Sequence, residues 1–251
     1  MIFTTKFFGS AKTVKIEKEY KYDDHTINAS NWVVRFSHRN RYKKSLNYVK
    51  KEYYRLLQTE YSFVKTLDYG CGTGVFVSLL NKQFPNVAVG YEPIMKQKHE
   101  GNLPIYNELN KLFLLSPFEI ITIFEVLEHL QWTEINDILE ISKKLLSPKG
   151  VLIISLPIEI GPAVLFKELY RYRRKKIWRY GFLELIKTVF LGRKAIRDDP
   201  NSPFMDHKGF DFRELIVLLQ KKDWNPKILG YGPLPIKHWF CNSQVFICVR
   251  L

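Results

Sequence analysis

Apolar positions along the chain alternate between short continuous runs and three- to four-residue spacings. The run Phe118–Phe124 (FEIITIF) is almost wholly apolar, which is typical of a strand buried on both faces. By contrast, Ile135, Ile138 and Leu145 recur at helical spacing along one stripe. Because such runs and stripes alternate, the pattern predicts an α/β fold with a mostly parallel sheet and helices on both faces.

The predicted elements number seven strands and six helices. The strands are the run ending at Asp68, then Asn86–Tyr91, Pro104–Glu108, Phe118–Phe124, Val151–Leu156, Trp224–Tyr231 and Gln244–Arg250. The helices are Trp32–Tyr61, Val75–Gln83, Glu134–Leu146, Pro162–Lys176, Trp178–Leu191 and Phe212–Lys221. Ser147–Gly150 is interpreted as a helix stop signal. Residues 1 to about 30 lack a clear period and predict only short strands or extended chain.

The alternation is interrupted between Pro157 and about His207. This break predicts three parts of the chain. An N-terminal extension and helix cover 1–60, the main domain covers 61–251, and an inserted helical subdomain covers 157–207. We expect the insertion, which follows the fifth strand, to carry substrate specificity.

The net charge of +14 on 251 residues is concentrated in two segments. Segment 38–55 carries a net +6 and segment 167–197 a net +9, so the rest of the chain is nearly balanced. A local basic surface indicates an anionic partner: a phosphate-bearing substrate, RNA or an acidic membrane surface. The alternative is that these charges only keep the protein soluble.

Three cysteines without a framework spacing suggest a reducing compartment. The first residues lack the long apolar core of a signal peptide, and no apolar run is long enough to span a membrane. These features predict a cytoplasmic protein, with peripheral association at the inner membrane surface as an open alternative.

A glycine-rich turn follows the first strand in the stretch VKTLDYGCGTG. Gly70, Gly72 and Gly74 let the backbone turn sharply and approach a ligand closely. A dinucleotide fingerprint would need its third glycine where Val75 stands, so the pattern is G-x-G-x-G instead. The carboxylate of Asp68 before this turn suits a cationic ligand rather than a pyrophosphate.

The stretch LDYGCGTG resembles motif I of the class I S-adenosylmethionine (SAM) methyltransferases. The segment EVLEHL, at Glu125–Leu130, resembles the motif after strand four in their ubiquinone-biosynthesis-like branch, methyltransferase type 11. The resemblance covers about residues 60 to 251. It implies a Rossmann-like seven-stranded sheet, SAM as cofactor and S-adenosylhomocysteine (SAH) as product.

The resemblance also implies a set of cofactor-binding residues. Glu92 lies eighteen residues beyond Gly74, close to the spacing at which an acid reaches ribose hydroxyls. Asn107 or Glu108, after the third strand, would contact the adenine amine, and Glu125 would line the pocket. The expected cofactor-binding residues are Asp68, Gly70, Cys71, Gly72, Thr73, Gly74, Glu92, Pro93, Asn107, Glu108 and Glu125.

The acceptor side is expected to involve histidines. His207 falls where related enzymes place a histidine at the active-site mouth, so it is the main candidate for a general base, with His129 second. His38, Arg39 and Arg41 of the first helix are candidate substrate-binding residues. No metal is predicted, because no further His or Cys follows Glu125, Glu128 and His129 nearby.

These features predict transfer of a methyl group to a small-molecule or lipid- or sugar-linked acceptor, which a phosphate group would suit. Phe124-Glu125-Val126-Leu127 replaces the Asn/Asp-Pro-Pro-Tyr/Phe motif of enzymes that methylate base amines, and no cysteine follows a proline. The first alternative is an RNA methyltransferase that uses the basic segments as a phosphate track. The second is a non-catalytic scaffold or sensor that keeps the cofactor pocket.

Overall fold

A computed structural model describes residues 32–58, 61–94, 103–197 and 207–250. Within them one sheet contains seven strands, as the sequence predicts. In chain order the strands are β1 (Thr66–Tyr69), β2 (Ala88–Tyr91), β3 (Ile105–Tyr106), β4 (Phe118–Phe124), β5 (Leu146–Pro157), β6 (Asn225–Gly232) and β7 (Gln244–Arg250). The prediction for residues 1 to 30 lies outside the described residues.

Seven α-helices connect or cover these strands in the described part of the chain. They are α1 (Trp32–Leu57), α2 (Val75–Gln83), α3 (Leu109–Leu115), α4 (Trp132–Leu145), α5 (Pro162–Lys175), α6 (Phe182–Phe190) and α7 (Phe212–Lys221). Short 3-10 turns occur at Leu127–His129 and Trp239–Cys241. None of the described helices is long and apolar enough to cross a membrane.

The strand order is β3-β2-β1-β4-β5-β7-β6. β1 to β5 are mutually parallel, whereas β7 runs antiparallel to both β5 and β6. The connections therefore reverse direction between β1 and β4. In open α/β sheets a crevice for ligands opens at such a switch point, beyond the carboxyl ends of the strands.

Two hydrophobic clusters cover the two faces of the sheet. On one face α4 and α7 bury Ile135, Leu139 and Leu215 against the strands. On the other face α1 and α2 bury Val49 and Leu80 with side chains of β4, β5 and β7. Because α1 packs against the sheet along its second half, the first half is held at the carboxyl edge of the strands.

The insertion forms its own small cluster. Val164 of α5 packs with Leu185 and Val189 of α6 and with Tyr180 and Ala195 beside them. α5 and α6 thus lie between β5 and α7 as a helical unit with a minor core.

Two features of the middle of the chain differ from the sequence prediction. α3 is absent from it, because seven residues are too few for a clear helical period. Ser147–Gly150, interpreted as a stop signal, belongs to β5. Here the pairing advances by two residues on β4 but by five on β5, so a bulge takes up the extra chain without leaving the sheet.

Candidate functional site

The glycine turn between β1 and α2 has the backbone conformation that its composition requires. Gly70, Gly72 and Gly74 have φ angles of 76°, 53° and 79°, in the left-handed region that residues with a Cβ rarely occupy. The N–H groups of Gly70 and Cys71 donate to the carbonyl of Tyr91, which fixes the turn against the end of β2.

The three glycines have different surroundings. A Cβ on Gly70 would lie 2.5 Å from Val126 Cγ2, and one on Gly74 would lie 2.4 Å from Ile105 Cδ1. A Cβ on Gly72 would meet no atom within 4 Å. Gly70 and Gly74 are therefore needed for packing, whereas Gly72 faces open space where a ligand can approach the backbone.

Glu92 lies beside this open space. One carboxylate oxygen accepts a hydrogen bond from the N–H of Gly72 at 3.0 Å, and the other accepts from the N–H of Ile94 at 3.2 Å. The carboxylate is thus held at the end of β2, facing the turn. Pro93 follows it and is exposed.

Asp68 is a buried carboxyl group at the end of β1. Only 4% of its surface is exposed, and Thr122 Oγ1 donates to its Oδ1 at 2.7 Å. Burial raises the pKa of Asp68 to about 7, the Thr122 hydroxyl opposes the rise, and the nearby Glu92 adds to it. A bound cation would favour the ionised form.

The other expected cofactor residues lie along the same edge. Burial raises the pKa of the Cys71 thiol, so it stays protonated, and Thr73 is exposed at the outer end of the turn. Asn107 and Glu108 are exposed beyond β3, where Glu108 pairs with Lys111 at 3.2 Å. The open cradle at Gly72, the buried acid and the carboxylate at the next strand fit the backbone contact, amino group and ribose of SAM.

A second cavity, which we call the acceptor cleft, adjoins the turn through Val126, which contacts Gly70. It has a volume of about 230 Å³, and nearly all its lining side chains are polar or charged. The lining residues are Ser37, His38, Arg41, Glu125, Pro157, Glu159, Lys167, Arg171, His207, Ser243 and Gln244. Four residues expected from the sequence, His38, Arg41, Glu125 and His207, are thereby brought together.

Glu125 is the most heavily bonded side chain of the cleft. Its carboxylate pairs with Arg41 Nη1 at 2.7 Å and accepts from Gln244 Nε2 at 2.9 Å and Ser155 Oγ at 3.1 Å. Burial raises the pKa of Glu125, but Arg41 and the two hydrogen bonds outweigh it and hold the pKa below its usual value. Its φ angle of 56° is unusual for a residue with a side chain and is typical of functional positions.

The three candidates on α1 do not share one environment. His38 contacts Arg41 and lines the acceptor cleft. Burial, with help from Arg41, lowers the pKa of His38 to about 4, so its imidazole is neutral at pH 7. Arg39 is exposed and lines a different cavity of about 560 Å³, whose lining residues all lie on α1.

His207 reaches the cleft beside a fully buried acid. Its Nδ1 is 3.6 Å from Glu128 Oε1, and its ring packs edge to face on His129 with 4.6 Å between centroids. Burial, then Glu125, raises the pKa of Glu128 well above its usual value. Burial lowers the pKa of His207 despite the opposing charge of Glu159, so both groups are neutral at pH 7.

Glu128, His129 and His207 also offer the donor set of a metal site. One ligating atom from each lies within 4.8 Å of the others, and neither oxygen of Glu128 hydrogen-bonds to a described residue. Two imidazoles and a carboxylate could hold a divalent ion. The argument behind the prediction of no metal looked for a third donor nearby in sequence, whereas the fold supplies His207 from 78 residues beyond His129.

Sequence reasoning missed five cleft residues: Glu159, Lys167, Arg171, Ser243 and Gln244. Glu159 lies just beyond β5 and pairs with Lys167 of α5 at 2.6 Å. The position of Glu159 after a parallel strand was a usable signal. Gln244 opens β7, and only the antiparallel direction of β7 brings that opening residue to the site.

The fold and the site define a SAM-dependent methyltransferase. A family model described as methyltransferase domain matches residues 30–197, more than half of the chain. The chain therefore belongs to this methyltransferase-domain family. No curated protein matches it.

Solved structures share the fold at low sequence identity. A SAM-dependent methyltransferase from Clostridium acetobutylicum is 14% identical, with 92% of this chain and 96% of that chain covered and a TM-score of 0.54. The methyltransferase domain of a bacterial protein, CtHen1, is 15% identical over 84% and 98% of the two chains, with a TM-score of 0.47. The plantazolicin methyltransferase BpumL, solved with SAH and a substrate analogue, is 15% identical over 83% and 84%, with a TM-score of 0.49.

Proposed function

We propose that the chain methylates a hydroxyl group of a small-molecule or lipid- or sugar-linked acceptor. The observation that carries this proposal is the acceptor cleft, a small polar cavity next to the glycine turn with a buried histidine–acid pair in its wall. Polar and charged side chains suit an acceptor rich in hydroxyl or phosphate groups.

On the cofactor side, Asp68 holds the amino group of SAM and the backbone at Gly72 lies against its methionine end. Glu92 accepts hydrogen bonds from the ribose hydroxyls. The sulfonium of bound SAM supplies a methyl group already activated for displacement. What remains for the chain is to hold the acceptor oxygen in line with that methyl group.

On the acceptor side, His207 removes the hydroxyl proton. Its Nδ1 faces Glu128, which leaves Nε2 to accept the proton. The lowered pKa of His207 keeps the imidazole in the form that accepts a proton at pH 7. The ion pair of Arg41 with Glu125 fixes the wall against which the acceptor is oriented.

The test is a transfer assay with methyl-labelled SAM against hydroxylated sugars, phenols and lipid-linked sugars, with RNA in parallel. We expect label in a hydroxylated acceptor, and a turnover about a hundredfold lower for His207→Ala at unchanged SAH affinity. His238→Ala, at an exposed histidine outside the cleft, is the matched control. Labelling of RNA alone would overturn the choice of acceptor, and full turnover of His207→Ala would remove the base.

Chelation separates the two uses of the Glu128, His129 and His207 cluster. If His207 acts as a base, dialysis against EDTA leaves turnover unchanged. A loss that Zn²⁺, Mn²⁺ or Mg²⁺ restores in the wild type, but not in His129→Ala, would replace the base with a metal-assisted step.

A further inference from the structure

Exposed apolar side chains are concentrated on the insertion. Of the twenty-one exposed large hydrophobic residues in the described part of the chain, eleven lie between 166 and 196. They are Phe166, Leu169, Tyr172, Ile177, Trp178, Phe182, Leu183, Ile186, Phe190, Leu191 and Ile196. We call this set the insertion face. Contiguous exposed apolar surface of this kind marks an interaction site.

α6 shows that the insertion face is additional to the packing of the insertion. Leu185 and Val189 on its inner side already complete the local cluster with α5. On its outer side Phe182 and Phe190 are 77% and 69% exposed. A helix that is apolar on both sides normally has a partner on both sides. The outer partner is not among the described residues.

The charges around the insertion face are positive. Segment 167–197 has eleven Lys and Arg residues and only two acids, Glu168 and Glu184. Glu168 pairs with Arg171 and accepts from the N–H of Arg179, while Glu184 pairs with Lys208 and accepts from the N–H of Ile196. Both acids are thus engaged within the fold.

Several of the cations remain at the surface between the apolar side chains. Arg173, Lys176, Lys187 and Arg193 are all exposed. A surface that mixes exposed apolar and cationic side chains matches an anionic lipid headgroup layer over hydrocarbon.

We propose that the insertion face docks on an anionic phospholipid surface. Exposed aliphatic residues such as Leu183, Leu191 and Ile196 favour lipid over RNA, because RNA grooves offer phosphates and stacking bases but no hydrocarbon. Trp178 and Tyr172 are residue types that membrane interfaces select.

Docking would also present the active site to a membrane-anchored acceptor. α5 carries Phe166 and Leu169 of the insertion face as well as Lys167 and Arg171 of the acceptor cleft. The inference therefore rests on the proposed function in one respect: it selects a lipid-linked acceptor among those allowed. The docking itself does not depend on it.

The experiment is co-sedimentation of the full chain with two kinds of vesicle. One is pure phosphatidylcholine, and the other contains about a third phosphatidylglycerol, enough for a strong negative surface potential. The apolar variant is Phe182→Ser with Phe190→Ser, and the charge variant is Lys176→Glu with Lys187→Glu. The controls are Leu114→Ser, at another exposed apolar position, and Lys82→Glu, at an exposed lysine of α2.

We expect binding to the anionic vesicles only, about tenfold weaker for either paired variant and unchanged for the controls. Absence of binding at low salt would overturn the inference. So would a salt-sensitive affinity for RNA that the charge variant loses, or a dimer that the apolar variant dissolves. SAH titration of each protein keeps the outcomes apart. SAH binding without vesicle binding overturns only the docking, and vesicle binding without SAH binding overturns only the proposed function.

Discussion

The two halves of the site are built in opposite ways. On the cofactor half, Asp68, the glycine turn and Glu92 come from twenty-five consecutive residues, and backbone hydrogen bonds hold them. On the acceptor half, Arg41, Glu125, Lys167, His207 and Gln244 come from five separate segments, and side-chain contacts join them. A cofactor shared by many enzymes needs one local backbone shape, whereas an acceptor needs side chains that can change independently.

This contrast predicts where substitutions act. Changes in the turn should alter cofactor affinity and leave the acceptor half intact. Changes in the cleft should alter transfer and leave cofactor affinity intact.

The largest effect is expected for Gly72→Leu. The new side chain would enter the open space that the ligand needs, so SAH affinity should fall more than a hundredfold in calorimetric titration. The left-handed backbone should cost about 1–2 kcal/mol of stability. Asn86→Leu, at an exposed position with a φ of 58°, should carry the same cost without loss of affinity. Equal SAH affinity of Gly72→Leu and wild type would refute the cradle.

Asp68→Asn comes next, with an SAH affinity about thirtyfold lower at pH 8, because a charge-assisted hydrogen bond to the amino group is lost. The wild type should also depend on pH. Since the pKa of Asp68 is about 7 and only the ionised form suits the cation, affinity should fall about tenfold per pH unit below 7. The variant should show no such slope, and a slope in both proteins would assign it to another group.

The same substitution should stabilise the fold. The folded protein holds the proton of Asp68 more tightly than the unfolded chain, whose pKa is near 3.8, so ionisation lowers stability as pH rises from about 4 to 7. The loss is on the order of 4 kcal/mol. Denaturant unfolding should find Asp68→Asn more stable than wild type at pH 8, with the gain vanishing near pH 4. No gain at pH 8 would show that Asp68 is not strained by burial.

Glu92→Gln should have a smaller effect. The amide still accepts from the N–H of Gly72 but binds ribose hydroxyls without a charge, so SAH affinity should fall about fivefold. Glu140→Gln, at an acid on α4 that pairs with Lys222, is the control and should be neutral. An unchanged affinity for Glu92→Gln and Glu92→Ala alike would end the ribose role.

The smallest effect is expected for two neighbours on α1. His38→Ala should reduce transfer to the acceptor found in the screen, whereas Arg39→Ala should not, because only His38 lines the acceptor cleft. Both should bind SAH within about twofold of wild type, since neither touches the glycine turn. A loss of transfer in Arg39→Ala equal to that in His38→Ala would place the acceptor across both cavities.

The cofactor half could be predicted from sequence because its chemistry is contiguous. The bounds of α2, β4, α7 and β7 were also predicted correctly, since their apolar patterns are strong. The acceptor half could be predicted only where a residue follows a recognisable motif, as Glu125 and His207 do. Gln244 and Lys167 carry no local signal, and their roles depend on strand direction and on the packing of the insertion.

The reversed direction of β7 has a consequence for how the chain folds. β5, at the middle of the sheet, is bonded on one side by β4 and on the other only by β7. A nascent chain that has emerged through β6 therefore still exposes an open edge of β5, and Glu125 still lacks Gln244, which lies 119 residues later. The cofactor half can assemble early during synthesis, whereas the acceptor cleft is completed only when β7 inserts between two strands that are already present.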